Sequence, residues 1–122
     1  MHTIMVVDDE KDIVDVVASV LEEHDYQVIK AFSGTEAYII LQDLKVDLII
    51  SDYMMPGLSG MDLYFRLLED PDHYKVPFIV MSAFAEEVEN TSIYAAFLKP
   101  FSIEKLIEAV RRALAADGGK GT

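Results

Sequence analysis

Apolar positions along this chain follow two rhythms. Mainly apolar stretches recur at Thr3–Val7, Tyr26–Ala31, Asp47–Ser51 and Val76–Met81, the second interrupted by Gln27 and Lys30 and the last with Pro77 near its start. Runs of that length without alternation predict strands buried on both faces. Between them the spacing changes to three and four. Ile13, Val16, Val17, Val20 and Leu21 form one stripe over Asp12–Glu23, which predicts a helix. Ser33–Leu44 predicts a second helix, capped by Ser33 or Thr35, and Ser59–Leu68 a third. From Phe84 to Ala95 the pattern weakens, because Asn90, Thr91 and Ser92 are poor helix formers. The fourth helical segment is therefore expected to be short or irregular. Ala96–Leu98 predicts a brief fifth strand. Ser102–Ala115 predicts the last helix, with Ser102 as cap and Ile103, Leu106, Ile107, Val110 and Leu114 in its stripe. The closing "DGGKGT" reads as a flexible tail, which divides the chain into a folded unit 1–116 and a tail 117–122.

Strand and helix alternate throughout, and no internal repeat interrupts them. That order argues for a parallel α/β sheet covered by helices on both faces. At 122 residues, 52% apolar and 26% charged, the chain suits one soluble domain with its own core. There is no cysteine, which excludes disulfides, thiolate metal sites and cysteine nucleophiles. The first apolar run, Ile4–Val7, is too short for a signal peptide or a membrane span. A formal charge of −12 opposes nucleic acid and anionic lipid and favours cations and basic partners.

Most of the acids need no explanation beyond solubility, but those at the strand ends do. In an open parallel sheet, functional groups gather where strands finish, beside a topological switch point. The first strand finishes in Asp8, Asp9 and Glu10, the third in Asp52, the fourth in Ser82 and the fifth in Lys99. If the first and third strands are neighbours, their acids share one small space. Two carboxylates about 5 Å apart repel by roughly 3 kcal/mol at an effective dielectric near 20. Either a proton or a cation must relieve them. An all-oxygen set favours a hard ion such as Mg²⁺, held by Asp9 and Asp52 with Asp8 behind a bound water. A strand-end carboxylate beside such an ion can also attack phosphorus, with Lys99 neutralising charge and Ser82 donating to a phosphoryl oxygen. Glu10 reads as an acid at a helix start. His2, His24 and His73 read as surface residues, Met54, Met55 and Met61 as turn and core packing, and Gly57 and Gly60 as turn residues.

Four segments, "VVDDE", "LIISDYMMPGLSG", "VMSA" and "KPF", stand in that order on those strand ends. Together they resemble the receiver domain of two-component response regulators, over almost the whole chain. The resemblance implies a flavodoxin-like, doubly wound five-stranded sheet of order 2-1-3-4-5. It makes Asp52 the phosphoacceptor, Asp8 and Asp9 the acidic pair for Mg²⁺, and Met54 a metal ligand through its backbone carbonyl. It makes Ser82 the switch hydroxyl and Lys99 the phosphate-contacting cation, with a cis peptide before Pro100. A histidine kinase or a histidine phosphotransfer protein would be the donor, docking over Ile13 and Val16 and the Lys99-Pro100-Phe101 loop. The setting implied is cytoplasmic, with no membrane and no direct nucleic-acid contact.

The chain departs from the family pattern twice. Ala96 stands where an aromatic residue is usual, with Phe97 beside it and Tyr94 nearby. The span from Ser82 to Lys99 is also shorter than usual by roughly a turn of helix. Three functions follow. The first is a phosphoacceptor module that catalyses only its own phosphorylation and slow self-hydrolysis, and so is not an enzyme in the turnover sense. The second is a phosphorylation-independent pseudo-receiver that serves as an interaction module. The third is a Mg²⁺-dependent phosphatase or phosphotransferase. That chemistry commonly needs an acid two residues after the nucleophile, where this chain has Met54.

Overall fold

The computed structural model describes residues 1–53, 55–82, 95–98 and 103–120 of the chain. The elements run β1 (Thr3–Val7), α1 (Lys11–Glu23), β2 (Gln27–Ala31), α2 (Gly34–Leu41) and β3 (Leu48–Asp52). After these come α3 (Gly60–Leu68), β4 (Phe78–Ser82), β5 (Ala95–Leu98) and α4 (Ile103–Lys120). The expected fourth helical segment between β4 and β5 lies outside the described residues, as do Met54, Tyr94, Lys99, Pro100, Phe101 and Ser102.

The strands form one five-stranded parallel sheet of order β2-β1-β3-β4-β5, as the resemblance implied. Side chains alternate along each strand, so each face has its own core. Ile4, Val6, Leu48, Ile50, Ile79 and Met81 meet Val14, Val17 and Leu21 of α1 and Leu106, Ile107, Val110 and Leu114 of α4. Met5, Val7, Ile49, Phe78 and Val80 meet Ala37 and Leu41 of α2 and Leu63, Tyr64 and Leu67 of α3.

The differences from the periodicity reading have local causes. In α1 the buried line is Val14, Val17, Ala18 and Leu21, while Val16 is 55% exposed. The helix is rotated relative to the expected stripe, and Val16 belongs to the outer surface. α1 ends with Asp25 at φ 67°. The Tyr26 amide bonds back to the Leu21 carbonyl at 3.2 Å and the Asp25 amide to Glu22 at 3.1 Å, a left-handed C-terminal cap. α2 stops at Leu41 instead of Leu44, because Gln42 and Asp43 bond to carbonyls three residues back and tighten the chain into a turn. Ser33 is its cap, accepting from the Glu36 amide at 3.0 Å. Ser59 lies outside α3 as its cap, and with Asp62 it closes a capping box.

β4 begins at Phe78, after Pro77, which has no amide to give to the ladder but accepts from Ile49 at 3.0 Å. α4 continues past Ala115 to Lys120, across residues the sequence pattern assigns to a tail. A helix already formed adds each further bond at little cost. His73, expected at the surface, is only 5% exposed. It is enclosed in the turn that links α3 to β4, with Nδ1 3.0 Å from Asp70 Oδ2.

Candidate functional site at the carboxyl edge of the sheet

Register decides which acids meet. Val7 of β1 pairs with Ser51 of β3, so Asp8 and Asp52 leave the sheet side by side. On the other flank Asp52 pairs with Met81, which sets the backbone of Ser82 one step further along the same edge. Ser82 in turn pairs with Leu98, the residue before Lys99. Order 2-1-3 places the reversal of winding between β1 and β3, where an open α/β sheet leaves its crevice.

Carboxylate oxygens of Asp8, Asp9 and Asp52 lie within 4.8 Å of one another. Asp8 is fully buried and Asp52 is 7% exposed, while Asp9 faces solvent. Asp8 also accepts from the Glu10 amide at 2.9 Å, which turns the chain from β1 into α1. Glu10 occupies the N-cap position of α1 without a side-chain cap bond. Asp8 thus serves both the site and the entry of the helix behind it. That second role is visible only once Glu10 is placed.

The loop that leaves Asp52 is closely held. The Tyr53 amide donates to Met81 at 2.8 Å, and the Gly60 amide donates to the Tyr53 carbonyl at 2.9 Å. Gly60 opens α3 directly against β3: a Cβ there would stand 2.0 Å from the Asp52 carbonyl oxygen and 3.1 Å from Ser51 Oγ. The sequence reading assigned Gly60 to a turn. Its function is close approach, and the positive φ, 76°, belongs to Gly57. Ser51 is fully buried and donates to the Asp52 carbonyl at 3.0 Å.

Two oxygens bound to one Mg²⁺ are at most about 4.2 Å apart. Carboxylates whose oxygens already lie within 4.8 Å need only small rotations to share such an ion. The donor set, all oxygen and mostly buried, fits a hard divalent cation. Among the described residues this trio is the cluster with metal-ligand geometry. Of the expected site residues, Asp8, Asp9 and Asp52 are brought together, and Ser82 shares their edge. Met54 and Lys99 lie outside the described residues.

A doubly wound parallel sheet with an acidic trio at its switch point defines a flavodoxin-like α/β protein with its working edge at the strand ends. The family of response regulator receiver domains matches residues 4–111, and the chain belongs to it. The phosphate regulon transcriptional regulatory protein PhoB of Pseudomonas aeruginosa is 34% identical over 121 residues, covering 95% of this chain and 53% of that protein. The response regulator SaeR of Staphylococcus epidermidis is 35% identical over 122 residues, covering 94% and 51%. The chain therefore spans about half the length of the curated relatives it matches. Among solved structures, the chemotaxis response regulator CheY4 of Vibrio cholerae superposes with a TM-score of 0.86 at 26% identity, over 93% of this chain and 99% of that one. TrrA of Thermotoga maritima, solved in complex with Mg²⁺-BeF, gives 0.84 at 28% identity, over 93% and 100%. No described helix is long and apolar enough to cross a membrane.

Proposed function

We propose that this receiver domain takes a phosphoryl group onto Asp52 from a phosphohistidine donor, with Mg²⁺ bound by Asp8, Asp9 and Asp52. The observation that carries the reading is the trio itself. A fully buried Asp8 and a nearly buried Asp52 share 4.8 Å of space with Asp9, an arrangement that costs folding energy unless a cation is used there. The Mg²⁺-BeF complex of the Thermotoga relative supports Mg²⁺ as the ion.

A carboxylate oxygen of Asp52 attacks phosphorus, the phosphorus–nitrogen bond to the donor imidazole breaks, and the freed imidazole takes up a proton. The product is an acyl phosphate on Asp52. Mg²⁺ held by these carboxylates would supply positive charge to offset that of the transferring group. Asp8 and Asp9 would turn their oxygens toward the ion. Lys99 and Ser82 would contact the phosphoryl oxygens, and the Met54 carbonyl would be a further ligand of the ion.

The domain catalyses only its own phosphorylation and slow hydrolysis. A histidine kinase or histidine phosphotransfer protein is the donor in the cytoplasm. Its docking face on α1 is the shallow apolar depression lined by Asp12, Ile13, Val16 and Val17. An exposed valine beside a half-buried isoleucine suits such a partner.

The test is the intact mass of the wild type and of Asp52→Asn after incubation with acetyl phosphate and Mg²⁺. One phosphoryl adduct that needs the ion and is absent from the variant supports the proposal. An unmodified wild type, under conditions that label a control receiver, sinks it.

A further inference from the structure

Gly34 is the first residue of α2, and it presses on a segment distant in sequence. A Cβ built on Gly34 would stand 2.1 Å from the Leu58 carbonyl oxygen, 2.9 Å from its carbon and 3.2 Å from Leu58 Cβ. Leu58 belongs to the loop that carries the chain from Asp52 into α3. The far side of that loop is fastened to the sheet. Tyr53 bonds to Met81, Gly60 bonds to Tyr53, and the Gly60 α-carbon rests on the Asp52 carbonyl.

The α2 side of the contact is fastened as well. Glu36 Oε1 accepts from the Phe32 amide at 2.8 Å. Ala37 and Leu41 anchor the helix in the core. The loop from Tyr53 to Ser59 is thus gripped from two directions, by the sheet near Asp52 and by α2 at Leu58.

We propose that Gly34 is a positioning residue for the Asp52 site: having no side chain, it lets α2 hold the Leu58 backbone and so fixes the course of the loop that leaves Asp52. The inference rests on the reading of Asp8, Asp9 and Asp52 as a Mg²⁺-assisted phosphoacceptor site. A methyl group at Gly34 must move Leu58 by about 1 Å, and a misplacement of that size, passed from a distant mutation to the reacting groups, costs up to about 100-fold. Contacts that support metal ligands from behind are worth roughly 10- to 100-fold in ion affinity. The effect should therefore reach Mg²⁺ binding before any phosphoryl donor is added.

The experiment is calorimetric titration of MgCl₂ into the unphosphorylated wild type, Gly34→Ala and Ser33→Ala, with a urea midpoint for each. Ser33→Ala weakens the start of α2 without adding an atom at the Leu58 contact. The expected result is a Mg²⁺ dissociation constant raised roughly tenfold or more in Gly34→Ala and changed less than twofold in Ser33→Ala. Equal binding by wild type and Gly34→Ala overturns the proposal. So does equal weakening in both variants, which would make the effect one of general stability.

Should Gly34→Ala not fold, amide NMR of the wild type decides instead. The Gly34 and Leu58 resonances should move on Mg²⁺ addition with the same midpoint, and a stationary Gly34 overturns the proposal. A wild type that binds no Mg²⁺ refutes the phosphoacceptor reading itself, a pattern distinct from the others.

Discussion

The α-carbon of Gly60 lies so close to the carbonyl of Asp52 that a Cβ would stand 2.0 Å from its oxygen. The first turn of α3 and the last residue of β3 are therefore one packed unit, and the backbone that carries the Asp52 carboxylate lies directly against the start of α3. Gly60→Ala tests this. Alanine is the better helix former by about 1 kcal/mol, yet overpacking against backbone costs about 1–3 kcal/mol. The expected outcome is a lower urea midpoint at unchanged m-value, together with slower labelling of Asp52 by acetyl phosphate. A stabilised Gly60→Ala would show that the contact has slack.

Removing the ion should be felt as lost stability. At Mg²⁺ a hundred times its dissociation constant, linkage adds about 2.7 kcal/mol, which for a domain of this length raises Tm by roughly 10 °C. Chelation with EDTA should reverse the gain. In Asp8→Asn the amide oxygen can still accept from Glu10, so the entry to α1 survives. The Mg²⁺-dependent rise should nevertheless be absent. Equal rises in wild type and variant would remove Asp8 from the ligand set.

Asp70 supplies a prediction about acid. The Asp72 amide at 2.8 Å and then the His73 side chain hold its carboxyl below the ordinary value of 3.8, against a smaller opposing effect of burial. A carboxyl depressed in the folded state contributes stability above its unfolded pKa and loses it as pH falls through the folded one. The difference in urea midpoint between wild type and Asp70→Asn should thus shrink as pH falls below the ordinary value near 3.8. A gap that persists undiminished in strong acid would assign the effect to shape instead of charge.

Asp25 ends α1 at φ 67°, in the left-handed region that costs L-residues about 1 kcal/mol or more. Asp25→Gly should raise stability by about 0.5–1 kcal/mol and leave phosphorylation unchanged. Asp25→Val should lower stability. Thermal melts of the two variants should therefore move in opposite directions, and a shift of both in one direction would rule out backbone strain as the cause.

Much of this architecture is legible in local pattern. Apolar runs mark β1 and β3 to within a residue, and the two serines, Ser33 and Ser59, announce the starts of α2 and α3 by offering a hydroxyl to an unpaired amide. The acids at the ends of β1 and β3 stand out because a charge closing an apolar strand needs a reason. The stripe of α1 was read less well. Val14, Val16 and Val17 are chemically alike, and only packing against β1 and α4 decides that Val14 and Val17 turn inward while Val16 does not. His73 differs for a related reason: a histidine in a polar turn looks exposed until tertiary packing encloses it.

By itself, then, the sequence determined the order of elements, an alternation of strand and helix that calls for a parallel sheet, and which acids stand at strand ends. Each of these depends on torsional preference and burial pattern within a few neighbouring residues. Only the tertiary structure decided that Asp8, Asp9 and Asp52 come within 4.8 Å, and that Gly34 meets Leu58 while Gly60 meets Asp52. Those contacts join segments far apart along the chain. Their distances follow from strand register and helix packing, which no local preference encodes.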